Sequence, residues 1–105
     1  MKKLFALVLA LVLCLTAFAA VAEVEGVKLG VILLHDEDST YDLNFINGVN
    51  EAVAVLGLTE DQGSVKRNIP ESNEGYKAAL DLVDEGCNLI FANSFGHETY
   101  ILQAA

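Results

Sequence analysis

The chain has 105 residues, with 15 acidic and six basic side chains and a formal net charge of −9. That balance excludes a nucleic-acid binder, which needs a basic footprint, and argues against docking on anionic membrane surfaces. The length allows one small domain and no more.

The N-terminus carries an export pattern. Lys2 and Lys3 form a positive start, Leu4 to Leu15 is apolar, and small residues follow up to Ala20-Val21-Ala22, ahead of Glu23. A charged start, an apolar centre and an A-x-A site are the features of a secretory signal peptide. The competing reading is an uncleaved anchor, because the uncharged stretch from Leu4 to Ala22 approaches the roughly 20 residues that a span needs. The A-x-A site favours cleavage, with residues 1–22 as signal peptide and 23–105 as the mature chain. Cys14 follows Leu13 inside the apolar run, so it is a poor lipidation site. The bases left after cleavage are Lys28, Lys66, Arg67 and Lys77, against all fifteen acids, a net charge of −11. Cys87 is then the single cysteine, and no internal disulfide is expected. Its neighbours Asp84 and Glu85 would raise a thiol pKa, which suits a buried structural residue better than a catalytic one.

Val27 to Leu34 is a nearly continuous apolar run, the pattern of a strand buried on both faces of a parallel sheet. His35 to Asp42 is a polar loop. Phe45, Ile46, Val49, Ala52, Val53 and Leu56 then share one face at helical spacing, and Gly57 ends the helix. Val65 to Ile69 is a short strand closed by Pro70. Ser72 or Asn73 caps a second helix with Tyr76, Ala79, Leu80 and Val83 as its expected buried stripe, and Gly86 stops it. Asn88 to Ala92 is a third buried strand, Asn93 to Glu98 a loop, and Thr99 to Ala105 the start of a third helix.

The order β-α-β-α-β-α gives the expected fold class: α/β, a parallel sheet with right-handed crossovers and alternating helices. Three strands make a thin sheet, and no cap or breaker follows the last helical pattern. The expectation is therefore an N-terminal fragment of a longer protein.

Ligands of open α/β sheets bind beyond the carboxyl ends of the strands. The loops after the first and third strands face that side. The first lacks glycine, which excludes a G-x-G-x-x-G dinucleotide fingerprint and a phosphate-cradling loop. An EF-hand loop starting at Asp36 needs Gly at position 41 and Glu at 47, where Tyr41 and Asn47 stand. Neither a metal nor another cofactor is expected. His35 and His97 each lie beside an acid, an arrangement able to do general-base work. No Ser or Cys nucleophile has matching spacing, and solvated loop histidines are the favoured reading. Tyr41 and Phe95 either stack on a flat ligand or plug their loops onto the core.

Two segments carry a resemblance. Asp38-Ser39-Thr40-Tyr41-Asp42, with Gly48 six residues on, is similar to a D-x-S-F-N loop and its helix glycine. Gly86-Cys87-Asn88-Leu89-Ile90-Phe91-Ala92-Asn93-Ser94-Phe95-Gly96 is similar to G-x-D-L-I-F-x-x-S-F-G. Both patterns belong to the basic membrane protein family of bacterial substrate-binding proteins, the extracytoplasmic receptors of ABC uptake systems, some of which bind purine nucleosides. The resemblance spans about Val27 to Ala105. It implies that residues 23–105 are an incomplete N-terminal lobe of a type I periplasmic-binding fold. It also implies a nucleoside-like ligand and a membrane permease as partners. Tyr41 would stack on the ligand and Asp38 would accept hydrogen bonds, with Thr40 and Asp42 beside them. Ser94, Phe95 and Gly96 would line the other wall. Asp42 stands where the family has Asn, and Thr40 and Tyr41 where it has Ser and Phe; the acids suit a polar or cationic ligand as well. The expected role is solute capture without catalysis, in the periplasm or at the outer face of the cytoplasmic membrane. The alternatives are the ligand-sensing domain of a signalling receptor and an exported α/β enzyme with its catalytic residues elsewhere.

Overall fold

A computed structural model of the chain describes residues 2–9 and 26–105. The expected cleavage site at Ala20-Val21-Ala22 lies outside the described residues. Residues 2–9 are helical and exposed. Among the described residues, no helix is long and apolar enough to cross a membrane.

Residues 26–105 form an α/β fold. Strands β1 (Leu29–Ile32), β2 (Gly63–Lys66) and β3 (Leu89–Ala92) alternate with helices α1 (Thr40–Val55), α2 (Asn73–Asp84) and α3 (Glu98–Ala104). Single 3-10 turns lie at Glu60–Gln62 and Phe95–His97. The sheet is parallel in the order β2-β1-β3, with Val31 opposite Val65 on one side and Phe91 on the other. The chain steps from β1 out to β2, then back past β1 to β3. Right-handed crossovers in opposite directions place α1 and α2 on opposite faces.

The two faces of β1 divide the core by residue parity. Leu29, Val31 and Leu33 meet Ile46, with Val49 and Val65 packed alongside. Ile32 meets Ala78, Ala79, Leu82 and Cys87 on the other face, where Ile90, Ala92, Ile101 and Ala104 close the layer. Ile32, Leu33 and Leu82 are fully buried, each contributing about 1.5–3 kcal/mol of transfer free energy. The expected double-sided burial of the first strand is observed.

Helix ends follow local chemistry. Ser39 caps α1 by accepting from the Asp42 N–H at 3.4 Å, and Gly57 takes a left-handed φ of 67° just beyond it. Ser72 caps α2 by accepting from the Glu74 N–H at 3.3 Å, and Gly86 does for α2 what Gly57 does for α1, at φ 94°. Gly30 has a steric reason: a Cβ there would sit 3.0 Å from Leu82 Cδ1 and 3.2 Å from Cys87 Sγ. Its absence lets α2 lie close on β1.

Four expectations are corrected. On α1, Ile46 is buried, but Phe45 and Leu56 of the expected apolar face are exposed. The α2 stripe is Gly75, Ala78, Ala79 and Leu82, not Tyr76, Ala79, Leu80 and Val83. Leu82 lies over Gly30, Ala78 and Ala79 pack with it on Ile32, and Gly75 faces His97, so Leu80 and Val83 turn outward. β2 starts earlier than expected, at Gly63, and ends before Asn68, whose φ of 57° breaks the extended run. β3 is an edge strand: Ile90 and Ala92 pack against the core, but Leu89 and Phe91 are exposed on the α1 side, Phe91 at 54%. A groove of about 410 Å³ runs there between Phe45, Gly48 and Val49 of α1 and Phe91.

Candidate functional site

The order β2-β1-β3 has its topological switch between β1 and β3, and in open α/β sheets the carboxyl ends at such a switch are where a ligand crevice is expected. The walls are the first loop with the opening turn of α1, and the segment Asn93–His97 after β3.

Asn93 joins the walls. It is buried, its Oδ1 accepts from the Leu34 N–H at 3.2 Å, and its Nδ2 donates to Asp42 Oδ1. Its carbonyl accepts from the Tyr41 hydroxyl at 2.9 Å. Asp42 is only 1% exposed and points inward beneath this link. Its Oδ2 makes no hydrogen bond, and the nearest cation-forming group is His35 Nδ1 at 3.3 Å. Tyr41 is tethered by its hydroxyl, and its ring stays 59% exposed, leaning on Phe45 with centroids 5.0 Å apart. Tyr41 therefore does not plug its loop into the core. It presents a fixed aromatic face to solvent.

The acids of the first loop are mostly engaged within the fold. Asp36 accepts from the Asp38 N–H at 2.9 Å and from Asn68 Nδ2 at 3.2 Å. The Asp38 backbone bond, then Asn68, hold its pKa below the usual carboxylate range. Glu37 pairs with Arg67 at 2.7 Å from Nε and 2.6 Å from Nη2, and that hydrogen bond lowers its pKa. Asn68 earns its left-handed backbone here, since Asn adopts that conformation at low cost. Asp38 and Thr40 remain as the exposed polar side chains of this wall.

The opposite wall turns on Glu71, in the loop after β2. Ser94 Oγ–H donates to Glu71 Oε1, and the Gly96 N–H donates to the same oxygen at 3.2 Å. The Ser94 bond is the main reason the Glu71 carboxyl is held below its ordinary pKa, with Gly96 adding to it. Between these two donors, Phe95 projects with 91% of its surface exposed. Beside it lies a depression of about 380 Å³, floored by Asn93, Ser94 and Ile101.

His97 overturns the expectation of a solvated loop histidine. It is 0% exposed, and Nε2 lies 2.8 Å from the Ile69 carbonyl. A carbonyl only accepts, so Nε2 carries a proton; Nδ1 has no hydrogen-bond partner. His97 packs 3.4 Å from where a Gly75 Cβ would stand, which explains the small residue in α2. His35, by contrast, is largely exposed.

No protein-family model, curated protein or solved structure matches this chain.

The structure joins Tyr41 and Asp42 to Asn93, the residue that precedes Ser94, Phe95 and Gly96, and leaves Asp38 and Thr40 exposed on the first loop. Asp42 is held inside the first wall. Two residues of the crevice, Glu71 and Asn93, were not among the candidates. Asn93 was visible only as part of a motif. Glu71 lies in a loop with no motif of its own, though its place after the second strand put it on the correct edge. His97 carried a legible signal: with Ile101 and Ala104 it makes an i, i+4, i+7 stripe, which continues the core face. Among the described residues, no group of three or more His, Cys, Asp or Glu side chains could hold a metal ion. Cys87 is buried, and burial pushes its thiol pKa up, with Glu85 adding a smaller push.

Proposed function

We propose that the chain is the extracytoplasmic solute-binding component of an ABC import system. It would belong to the basic membrane protein family and contribute much of one lobe of a type I periplasmic-binding fold. The observation that carries this reading is the pair of exposed aromatic rings, Tyr41 and Phe95, on facing loops at the switch point of a parallel sheet. Apolar π-faces flanked by a few polar groups suit a flat heterocycle with hydroxyls, as in a nucleoside. Asp38, Thr40 and Ser94 are the polar groups at hand. Arg67 neutralises Glu37, whereas the Asn68 amide leaves the Asp36 charge in place, so the wall suits a polar solute, neutral or cationic.

Capture would be followed by closure of a second lobe and delivery to a membrane permease. The apolar groove between α1 and Phe91 supports further structure over that face. Gly48 supports it too: a glycine inside a helix costs about 1 kcal/mol, and no described atom lies within 4 Å of where its Cβ would be.

The absence of turnover in this reading is supported by the state of Ser94. Its hydroxyl donates directly to a carboxylate of lowered pKa, a poor base, and His97 is buried with its proton held on a backbone carbonyl. Among the described residues, none is placed to activate the serine.

Titration calorimetry of the exported protein against adenosine, guanosine and inosine tests the proposal. Saturable binding that weakens at least tenfold in Tyr41→Ala and in Asp38→Ala is expected. Affinity untouched by both substitutions would rule out this site, and consumption of the nucleoside would replace a receptor with an enzyme.

A further inference from the structure

The third loop is shaped around a side chain from a different element. Ser94 and Gly96 both give their protons to one oxygen of Glu71. A Cβ at Gly96 would collide with the Glu71 carboxylate carbon. Glycine at position 96 leaves room for that carboxylate, and a Cβ there would force the Glu71 side chain to shift away from its two donors. The residue between the two donors is Phe95, the most exposed large apolar side chain of the crevice. An aromatic ring standing in water has no packing of its own to hold it, so its position depends on the turn beneath it.

We propose that Glu71 is a positioning residue of the solute crevice, its carboxylate clamping the Ser94–Gly96 turn and so fixing where Phe95 stands. The consequence for affinity rests on the solute-binding reading; the clamp itself is a property of the free chain. Two donors converging on one carboxylate oxygen make charge-assisted hydrogen bonds, which are stronger than neutral ones. The clamp needs the ionised acid. Since the folded-state pKa is depressed, its contribution is complete above the ordinary glutamate range and is lost as pH falls through the lowered value. The charged neighbours acting on Glu71 are His97, from the 3-10 turn, and His35, from the first loop. Both act to lower the Glu71 pKa, by less than the Ser94 and Gly96 hydrogen bonds do.

The test follows the Gly96 amide by NMR in the full chain as pH is lowered. The expected result is a step with its midpoint below the ordinary glutamate range, absent in Glu71→Gln and moved upward in Ser94→Ala. Both histidines remain in those variants, so loss of the step assigns it to Glu71. A Gly96 amide that does not titrate, or titrates identically in Glu71→Gln, overturns the clamp. Gly96→Ala gives a second check: it should lower Tm in the parent and lower it less in Glu71→Ala, and equal losses would overturn the close-approach argument. In calorimetry with guanosine, Glu71→Ala should raise Kd about tenfold, and an unchanged Kd would overturn the positioning role. A parent chain that binds no guanosine but keeps the Gly96 step would instead overturn the solute reading alone.

Discussion

Replacing Asn93 by alanine removes the side-chain part of the link between the two loops and leaves the Tyr41 hydroxyl bond to its carbonyl. Two side-chain bonds disappear. The first is the donation to Asp42 Oδ1, a bond to a buried charged group, of a kind that contributes about 1.5–3 kcal/mol. The second is the 3.2 Å acceptance from the partly buried Leu34 N–H, a neutral bond worth about 1 kcal/mol. Asp42, at 1% exposure, is then left with a hydrogen-bond deficit on both oxygens, and only His35 Nδ1 at 3.3 Å lies near. We therefore expect Asn93→Ala to cost about 3 kcal/mol in urea-unfolding experiments, a large share of the 5–15 kcal/mol typical of a domain. Asp42→Asn keeps an acceptor for Asn93 Nδ2 and should cost about 1 kcal/mol. The double mutant Asn93→Ala with Asp42→Ala should be less destabilised than the sum of the singles, by about 2 kcal/mol. A loss under about 0.5 kcal/mol for Asn93→Ala, or simple additivity, would show that the link is not a determinant of this fold.

Leu82→Ala should cost about 2–5 kcal/mol, because Leu82 is fully buried between Ile32 and Cys87 and its removal leaves a cavity. Gly30→Ala inserts a methyl group 3.0 Å from Leu82 Cδ1 and should cost about 1–3 kcal/mol by overpacking; denaturant midpoints report both. Asn68→Ala should lose about 1 kcal/mol from its left-handed backbone, whereas Asn68→Gly should stay within about 0.5 kcal/mol of the parent. In a Cys14→Ser chain, Cys87 should react with a disulfide reagent at pH 8 far more slowly than in 6 M urea, since burial both shields it and raises its pKa.

Much of the fold was legible because it depends on pattern. The run from Val27 to Leu34 reads as a doubly buried strand, and β1 is buried on both faces. Helix boundaries followed Ser39, Gly57, Ser72 and Gly86, whose chemistry acts locally. The phase of α2 was missed because two apolar stripes share its helical spacing, and the one that faces the sheet carries Leu82, which fits over the bare backbone of Gly30. The exposed face of β3 was missed for a related reason: its composition records what the strand can bury, not what covers it. Within the crevice, loop residues that share an edge of the sheet could be grouped from topology alone. Their pairings could not. Asp36, Glu37 and Asp42 read as one acidic patch in sequence, and each is engaged by a partner brought from elsewhere in the chain, namely Asn68, Arg67 and Asn93.

The central claim is that the ends of β1 and β3 form the solute site. Amide chemical-shift mapping of the labelled chain during titration with guanosine tests it most directly. The account predicts saturable shifts concentrated at Tyr41, Ser94, Phe95 and Gly96. Shifts confined to the groove at Phe45, Gly48 and Phe91, or none at saturating guanosine, would contradict it.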